Sequence, residues 1–296
     1  MDPHLLRTFV AVAHCGSFSR AARELGYTQS AVSQHIAVLE SDLGAVLLHR
    51  RPVTPTDVGA RLLEHAGPLL LRLDAARADI ARLTAAPAAR IVIGASPLAM
   101  TRQFTRALAD VRRSQPHWEV TVRVLGRDAI TRDLATAALD LALVDGMAAP
   151  SDPLHLPHIG PFTAIAVAEQ PLAVALPAQH PLGTRAGLRL PDLSDARWID
   201  APDTAIPLGQ LRSASGYDGY RASLRYEGTD VGGLIALTAA GHGLALLPRP
   251  VIDGMPGVSA VPVSTPRLVH RIEALHANRP DAPAALLAAA LVQAAE

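Results

Sequence analysis

Residues 3–43 carry three apolar stripes at helical spacing, each closed by a glycine, and this arrangement narrows the possible folds sharply. The first stripe is Leu5, Phe9 and Val12, ending at Cys15-Gly16. Ser17 or Ser19 can cap a second, short helix that buries Phe18, Ala22 and Leu25. Gly26-Tyr27 supplies a tight turn, after which the Thr28 hydroxyl can cap a third helix. There Val32, Ile36, Leu39 and Leu43, spaced four, three and four, form the inner stripe, while Ser30, Ser33, Gln34, Ala37 and Ser41 face outward. That outer face is small and hydrogen-bonding, so it can press closely into a groove. A short helix, a glycine-bearing turn and a longer polar-faced helix outline a helix-turn-helix from Phe18 to Ala37. Serine and glutamine both donate to and accept from base edges, and glutamine can pair bidentately with adenine. An ordinary three-helix domain with solvated serines shows the same pattern, and periodicity alone leaves the two readings even.

Beyond Gly44, Val46-Leu47-Leu48 and Arg50-Arg51-Pro52-Val53 read as a small hairpin, a wing with its two arginines where phosphates would pass. Phe9-Val10-Ala11-Val12-Ala13, Gly16-Ser17-Phe18-Ser19-Arg20-Ala21-Ala22 and Leu25 resemble the N-terminus of LysR-type transcriptional regulators. Thr28-Gln29-Ser30-Ala31-Val32-Ser33-Gln34, Ile36, Leu39-Glu40, Leu43-Gly44 and Leu47-Leu48 continue the resemblance, which is nearly unbroken over residues 5–48. From Leu47 to Gly59 the chain is slightly shorter than this family's usual wing, which implies a tight wing tip. The resemblance implies base readout by Gln29, Ser33 and Gln34, with Ser30 and His35 close by and Arg50 and Arg51 on the DNA backbone. For His35 a solvated helix position is an equal alternative. The partner so implied is a double-stranded operator with an interrupted palindrome.

Thr56 can cap a long helix over residues 57–84, matching with Gly59 the Thr-x-x-Gly that opens the family's linker helix. Val58, Leu62, Ala66, Leu69, Leu73, Ala76, Ile80 and Leu83 recur at steps of four and three, close to a heptad seam. A lone helix with such a stripe needs a partner, and a second copy is the economical one, through Leu62, Leu69, Leu73 and Ile80. Packing of the stripe onto its own body is the alternative. Gly67-Pro68 interrupts the pattern and predicts a kink. Residues 85–89, Ala-Ala-Pro-Ala-Ala, read as a hinge.

The remainder alternates strands and helices. Arg90 to Ala95, Glu119 to Leu125 and Leu139 to Val144 read as strands, with helices from about Leu98 to Arg113 and Asp128 to Ala137 between them. A second run follows: Thr163 to Ala168, Leu172 to Leu176, Trp198-Ile199, Ser223 to Tyr226, a helix from Val231 to Ala240, and Leu244 to Leu247. Such alternation predicts an α/β domain with parallel strands and right-handed crossovers. Pro171-Leu172-Ala173-Val174-Ala175-Leu176-Pro177, His180-Pro181-Leu182, Asp192-Leu193, Trp198-Ile199 and Ala239-Ala240-Gly241-His242-Gly243-Leu244-Ala245-Leu246-Leu247-Pro248 resemble the same family's effector domain. The fold so implied is two-lobed, like type II periplasmic binding proteins. The boundaries are a winged helix-turn-helix at 1–58, the linker helix at 57–84, and an effector-binding domain at 90–296. In that domain lobe I is 90–162 with 266–296, and lobe II is 163–265. Ligands in such sheets sit beyond strand C-termini, near free helix N-termini. Ser96, Pro97, Asp145, Thr204 and Asp230 occupy those places, though a plain helix cap serves each equally well. Family members often have a hydroxyl where Asp145 stands. An aspartate facing the cleft favours a cationic or polyhydroxylated effector over a simple carboxylate.

Composition sharpens this reading. The chain has 27 basic and 27 acidic residues, a net charge of +0, so it is not a uniformly basic nucleic-acid binder. Residues 1–55 hold Arg7, Arg20, Arg23, Arg50 and Arg51 against Asp2, Glu24, Glu40 and Asp42, so even the head is barely basic. Useful affinity then has to come from pairing two heads in a dimer or tetramer. Every basic residue is arginine, which excludes Schiff-base and P-loop lysines. The single cysteine, Cys15, excludes a disulfide framework and a multi-cysteine zinc site, and its helix position points it at the core. There is no His-Glu-x-x-His, Gly-x-Ser-x-Gly, Walker loop or Gly-x-Gly-x-x-Gly, and His155 and His158 lack a further ligand, so no catalytic, metal or cofactor site is expected. Met1-Asp2-Pro3-His4 opens no signal peptide and Ala282 to Ala295 is too short to span a bilayer, which points to the cytoplasm and away from membranes. A small-molecule effector and RNA polymerase are the remaining partners implied.

Overall fold

A computed structural model describes residues 1–84, 90–156, 162–278 and 280–294. They form two units, one from Met1 to Ile80 and one taking up the described chain from Ala81. The expected hinge at 85–89 and His158 lie outside the described residues.

In the first unit α1 (Pro3–Cys15), α2 (Phe18–Leu25) and α3 (Gln29–Leu43) are followed by a hairpin of β1 (Leu48–Arg50) and β2 (Val53–Pro55), then by α4 (Asp57–Thr84). Ser17 caps α2 by accepting from the Arg20 amide, and Thr28 caps α3 by accepting from Ala31. Each of the three helices ends on a left-handed glycine, Gly16, Gly26 and Gly44. Phe9, Val12, Ala22, Val32, Ile36 and Leu39 are buried together in one core. Leu43, expected in that stripe, is 41% exposed, because it is the last residue before the Gly44 cap and extends past the packed faces. Cys15 packs against that core, as its helix position requires, but it is only half-buried, and its thiol donates to Glu24 Oε2 at 3.1 Å. The Glu24 carboxylate pushes the thiol pKa up.

α4 docks tightly on the wing. Thr56 Oγ1 donates to the Val46 carbonyl (2.8 Å) and accepts from the Gly59 amide (3.0 Å). A Cβ at Gly59 would lie 2.0 Å from the Leu47 carbonyl oxygen, so only glycine permits this approach. Gly67-Pro68 does not end the helix, which continues through Pro68. The heptad stripe divides in two. Ala66 is buried and Leu62, Leu63 and Leu70 pack against the head's core, whereas Leu69 is 45% and Ile80 64% exposed, with Leu73 half-buried. Leu62 is half-buried and packs on the head's core.

The second unit begins with β3 (Arg90–Ala95), a tight turn at Pro97–Ala99, α5 (Arg102–Ser114), β4 (Glu119–Val124), α6 (Arg127–Ala135) and β5 (Leu141–Ala148). The long strand β6 (Phe162–Pro177) leads to β7 (Leu188–Arg189), β8 (Trp198–Asp200), α7 (Leu208–Ser215), β9 (Ala222–Arg225), α8 (Val231–Ala239), β10 (Ala245–Pro248), α9 (Arg249–Ile252), β11 (Val258–Thr265), β12 (Val269–Ala277) and α10 (Ala282–Gln293). The main sheet runs β4-β3-β5-β12-β6-β11-β7, with β10 also on β6. β3 is parallel to β4 and β5, as expected. β7 on β11 and β8 on β9 are parallel too, but the centre of the sheet corrects the parallel expectation: β12 is antiparallel to both β5 and β6, and β6 is antiparallel to β10 and β11. The chain returns late, as β12, to fill the slot between β5 and β6.

Two lobes result. Ile91, Ile93, Phe104, Leu143, Ile272 and Leu287 centre the core of lobe I. In lobe II alternate residues of β6 feed two layers, Leu172, Val174 and Leu176 against Trp198 and Tyr220, and Ala173 and Ala175 against Leu234 and Leu247. Leu98, from the turn after β3, inserts into the second of these layers. β6 belongs to both lobes: residues from Phe162 to Pro171 pair with β12, and those from Leu172 pair with β10 and β11. The lobe boundary expected at 162/163 thus falls mid-strand, near Pro171.

Candidate functional site

On the first unit α3 presents Gln29, Ser30 and Gln34 as exposed side chains, with Ser33 half-buried beside them. All four sit near the helix N-terminus, which the Thr28 cap holds in the open. His35 does something neither sequence reading anticipated. Thr8 Oγ1 donates to the His4 carbonyl (3.1 Å) and lies 3.1 Å from His35 Nδ1. The Tyr27 ring meets His35 edge-on at 5.4 Å. His35 therefore ties α3 to α1 and to the turn.

The wing separates its two arginines. Arg50 donates to Glu40 Oε2 at 2.8 Å, and its guanidinium carbon lies 5.1 Å over the Phe18 ring. Glu40 Oε1 meanwhile accepts from the amides of Leu47 (2.9 Å) and Leu48 (3.3 Å), fixing the entry to the wing. Arg50 thus braces the wing while about half of its side chain, 49%, stays exposed. Arg51 is exposed in the connection between β1 and β2, where Arg50 pairs with Val53.

The second unit contains a cavity of about 690 Å³ between lobe I and α7 of lobe II. Of the five residues expected there, Ser96 and Asp145 line it. Pro97, Thr204 and Asp230 are not among its lining residues. Pro97 opens the turn after β3, and Thr204 is wholly buried with its hydroxyl unpartnered. Asp230 caps α8, accepting from the amides of Gly232 (2.9 Å) and Gly233 (3.0 Å).

Asp145 is held by two residues that the sequence reading missed. Arg127 Nη2 lies 2.6 Å and His270 Nε2 2.9 Å from its Oδ2, with both carboxylate and imidazole fully buried. Burial disfavours the Asp145 charge, but the Arg127 guanidinium and the His270 hydrogen bond outweigh it and hold the carboxyl well below the usual carboxylate range. The Ser96 hydroxyl also favours the Asp145 charge, and both Oδ1 of Asp145 and Oγ of Ser96 are shut off from solvent. Next to them, Arg271 links Glu273 and Glu169 at 2.6 Å each. Those carboxylates accept the amides of Leu154 (3.1 Å) and Ser151 (3.0 Å), pinning the loop whose Leu154 walls the cavity. A signal for these residues existed: His270, Arg271 and Glu273 interrupt an otherwise apolar strand, and Arg127 opens a helix. Most other lining groups are apolar, among them Ile130, Met147, Leu156 and Leu268. Among the described residues no group of three or more His, Cys, Asp or Glu could hold a metal ion, and no helix is long and apolar enough to cross a membrane.

Comparison with known proteins covers both units. Residues 3–60 match the family described as bacterial regulatory helix-turn-helix protein, lysR family, and residues 84–296 match the LysR substrate binding domain. The transcriptional regulator BudR of Raoultella terrigena is 31% identical over 259 residues, 84% of this chain and 85% of that protein. The small neutral protease regulatory protein of Streptomyces coelicolor is 31% identical over 233 residues, 76% of this chain and 68% of that one. The crystal structure of full-length BenM matches with a TM-score of 0.54 at 26% identity, covering 99% of this chain and 96% of that one.

Proposed function

This chain belongs to the LysR family of transcriptional regulators, and from that premise we propose how its residues divide the work. It is a DNA-binding regulator with an effector-binding domain and not an enzyme. Gln29, Ser30, Ser33 and Gln34 read base edges in the major groove of an interrupted palindrome, and Arg51 meets the backbone. The observation that carries this is the exposed, uncharged hydrogen-bonding face at the start of α3. Replacing Ser33 and Gln34 together by alanine removes contacts worth about 1–3 kcal/mol each. Gel-shift titration is expected to show loss of specific operator binding with the thermal melt unchanged; unaltered operator affinity would overturn the assignment.

Two heads have to act together, since one head is barely basic. Leu69 and Leu73 of α4 support a homodimer, itself able to pair into a tetramer, because the first is an exposed apolar residue and the second only half-covered. Glutamate at both positions should give monomers by light scattering, and an intact dimer would refute this seam. RNA polymerase is the further partner, and the cytoplasm the compartment, of such a regulator.

The effector enters the cavity of the second unit. Its charged wall is already balanced, since Arg127 and His270 meet Asp145, so of the cationic and polyhydroxylated effectors expected from the sequence the cationic one loses its motive. The rest of the wall is mixed: Ile130, Met147, Leu156 and Leu268 are apolar, while Thr131, Gln210 and Ser213 bring hydrogen-bonding groups. A neutral molecule with an apolar body and hydrogen-bonding substituents suits that mixture.

A further inference from the structure

Polar contact between the two lobes gathers at the start of α6. Gly126 is the N-cap of this lobe I helix and has no side chain to close it. The Asp203 carboxylate of lobe II does so instead, accepting from the Arg127 amide at 3.0 Å. The Arg127 guanidinium points the same way: Nη1 donates to the carbonyls of Pro202 and of Ala205 (3.1 Å), both in lobe II. Its other nitrogens hold lobe I through Asp145 Oδ2 (2.6 Å) and the Asp145 carbonyl (3.4 Å). A Cβ on residue 126 would come within 2.6 Å of Asp203 Oδ1. The Gly126 φ of −66° suits any residue, so the missing side chain serves the contact and not the backbone.

We propose that Gly126, Arg127 and Asp203 form a latch that holds the two lobes together in the ligand-free chain. Arg127 lines the cavity, so a molecule seated between α6 and α7 bears directly on the latch. Occupancy is then read as lobe separation, a hinge-type change with the cap bond as its bistable element. This regulatory role rests on the effector-binding reading of the second unit, but the latch itself does not.

The test measures lobe separation in the full chain by pulsed electron paramagnetic resonance. Spin labels are placed at Ala109→Cys on α5 and Ala236→Cys on α8, in a Cys15→Ser background, diluted with unlabelled protein and free of DNA and effector. Both label sites are exposed helical positions, one in each lobe. The parent should give one narrow distance distribution. Asp203→Ala and Gly126→Ala should each broaden it and shift it to longer distance, while Asp203→Asn, which still accepts from the Arg127 amide, should restore the parent distribution. Parent-like distances in both Asp203→Ala and Gly126→Ala overturn the latch, as does an Asp203→Asn variant as broad as Asp203→Ala. If Asp203→Ala fails to fold, Gly126→Ala carries the same test from the other side of the contact, with Asp203 left in place. Because no effector is used, an overturned latch leaves the regulator reading standing. Failure to find an effector likewise leaves the distances untouched.

Discussion

The first turns of α3 carry Gln29, Ser30, Ser33 and Gln34, neutral groups at or near the surface, whereas the cavity wall of the second unit encloses a full ion pair, Arg127 with Asp145. One of these groups of side chains keeps its hydrogen-bonding capacity in solvent and the other locks most of it into the fold. A groove-reading face has to stay open to a partner that brings its own hydrogen bonds. A buried wall has no water to turn to, so its charges must be met within the protein before any ligand arrives. Substitutions at the first site should therefore change binding and leave stability, and substitutions at the second should change stability first.

The largest effect expected from this contrast is at Arg127. Replacing it with leucine leaves Asp145 buried with only His270 beside it, and losing one partner of a buried pair costs about 3–5 kcal/mol. Urea unfolding followed by the fluorescence of Trp198, which lies in the lobe II core, should report that loss. The Arg127→Leu, Asp145→Leu double variant should lose clearly less than the sum of the two single changes. Additive losses would mean that the pair is not coupled, and the contrast between the two sites would collapse.

A smaller effect separates the same sites by pH. The folded Asp145 carboxyl titrates below its ordinary value of about 3.9, so the unfolded chain takes up the proton first as pH falls. Its stabilisation is fully present above about pH 4 and is lost progressively below that value. The unfolding midpoint of the parent should therefore drop on acidification below about pH 4, and that of Asp145→Asn should drop less steeply. Parallel acid profiles would place the origin of acid sensitivity elsewhere.

How far each site could be read from the sequence follows the same division. The helix-turn-helix is built from local signals. Ser17 and Thr28 cap, Gly16, Gly26 and Gly44 stop, and the stripe from Val32 to Leu39 faces inward as its spacing requires. The Thr-x-x-Gly before α4 is legible too, since Gly59 is the residue that lets the helix touch Leu47. What the periodicity could not show is long-range: Arg127 meets Asp145 across 18 residues, and His270 meets it across 125. No spacing rule links such positions, because the late return of β12 between β5 and β6 is what places His270 there. The division of the α4 stripe was hidden for a similar reason. Leu62 and Leu69 have the same pattern on paper, and only the bulk of the head decides which of them is covered.

The smallest effect lies within the head and is the sharpest check on its open, sparsely charged face. Arg50 and Arg51 are adjacent in sequence and equal in charge, and a sequence reading treats them alike. In the structure both are exposed, but Arg50 is paired with Glu40 and lies over Phe18, while Arg51 sits in the connection between the strands of the wing. Each phosphate neutralised by a free cation contributes about −0.9 to the slope of log affinity against log salt. Arg51→Ala should therefore flatten that slope by roughly one unit per head while keeping operator preference. Arg50→Ala should leave the slope nearly unchanged and act instead through a loosened wing, visible as a modest fall in melting temperature. The two variants thus separate a charge that faces DNA from one that holds the protein. If Arg50→Ala flattens the slope as much as Arg51→Ala, the Glu40 pair opens on binding, and the head shares more with the cavity's switchable contacts than its free structure shows.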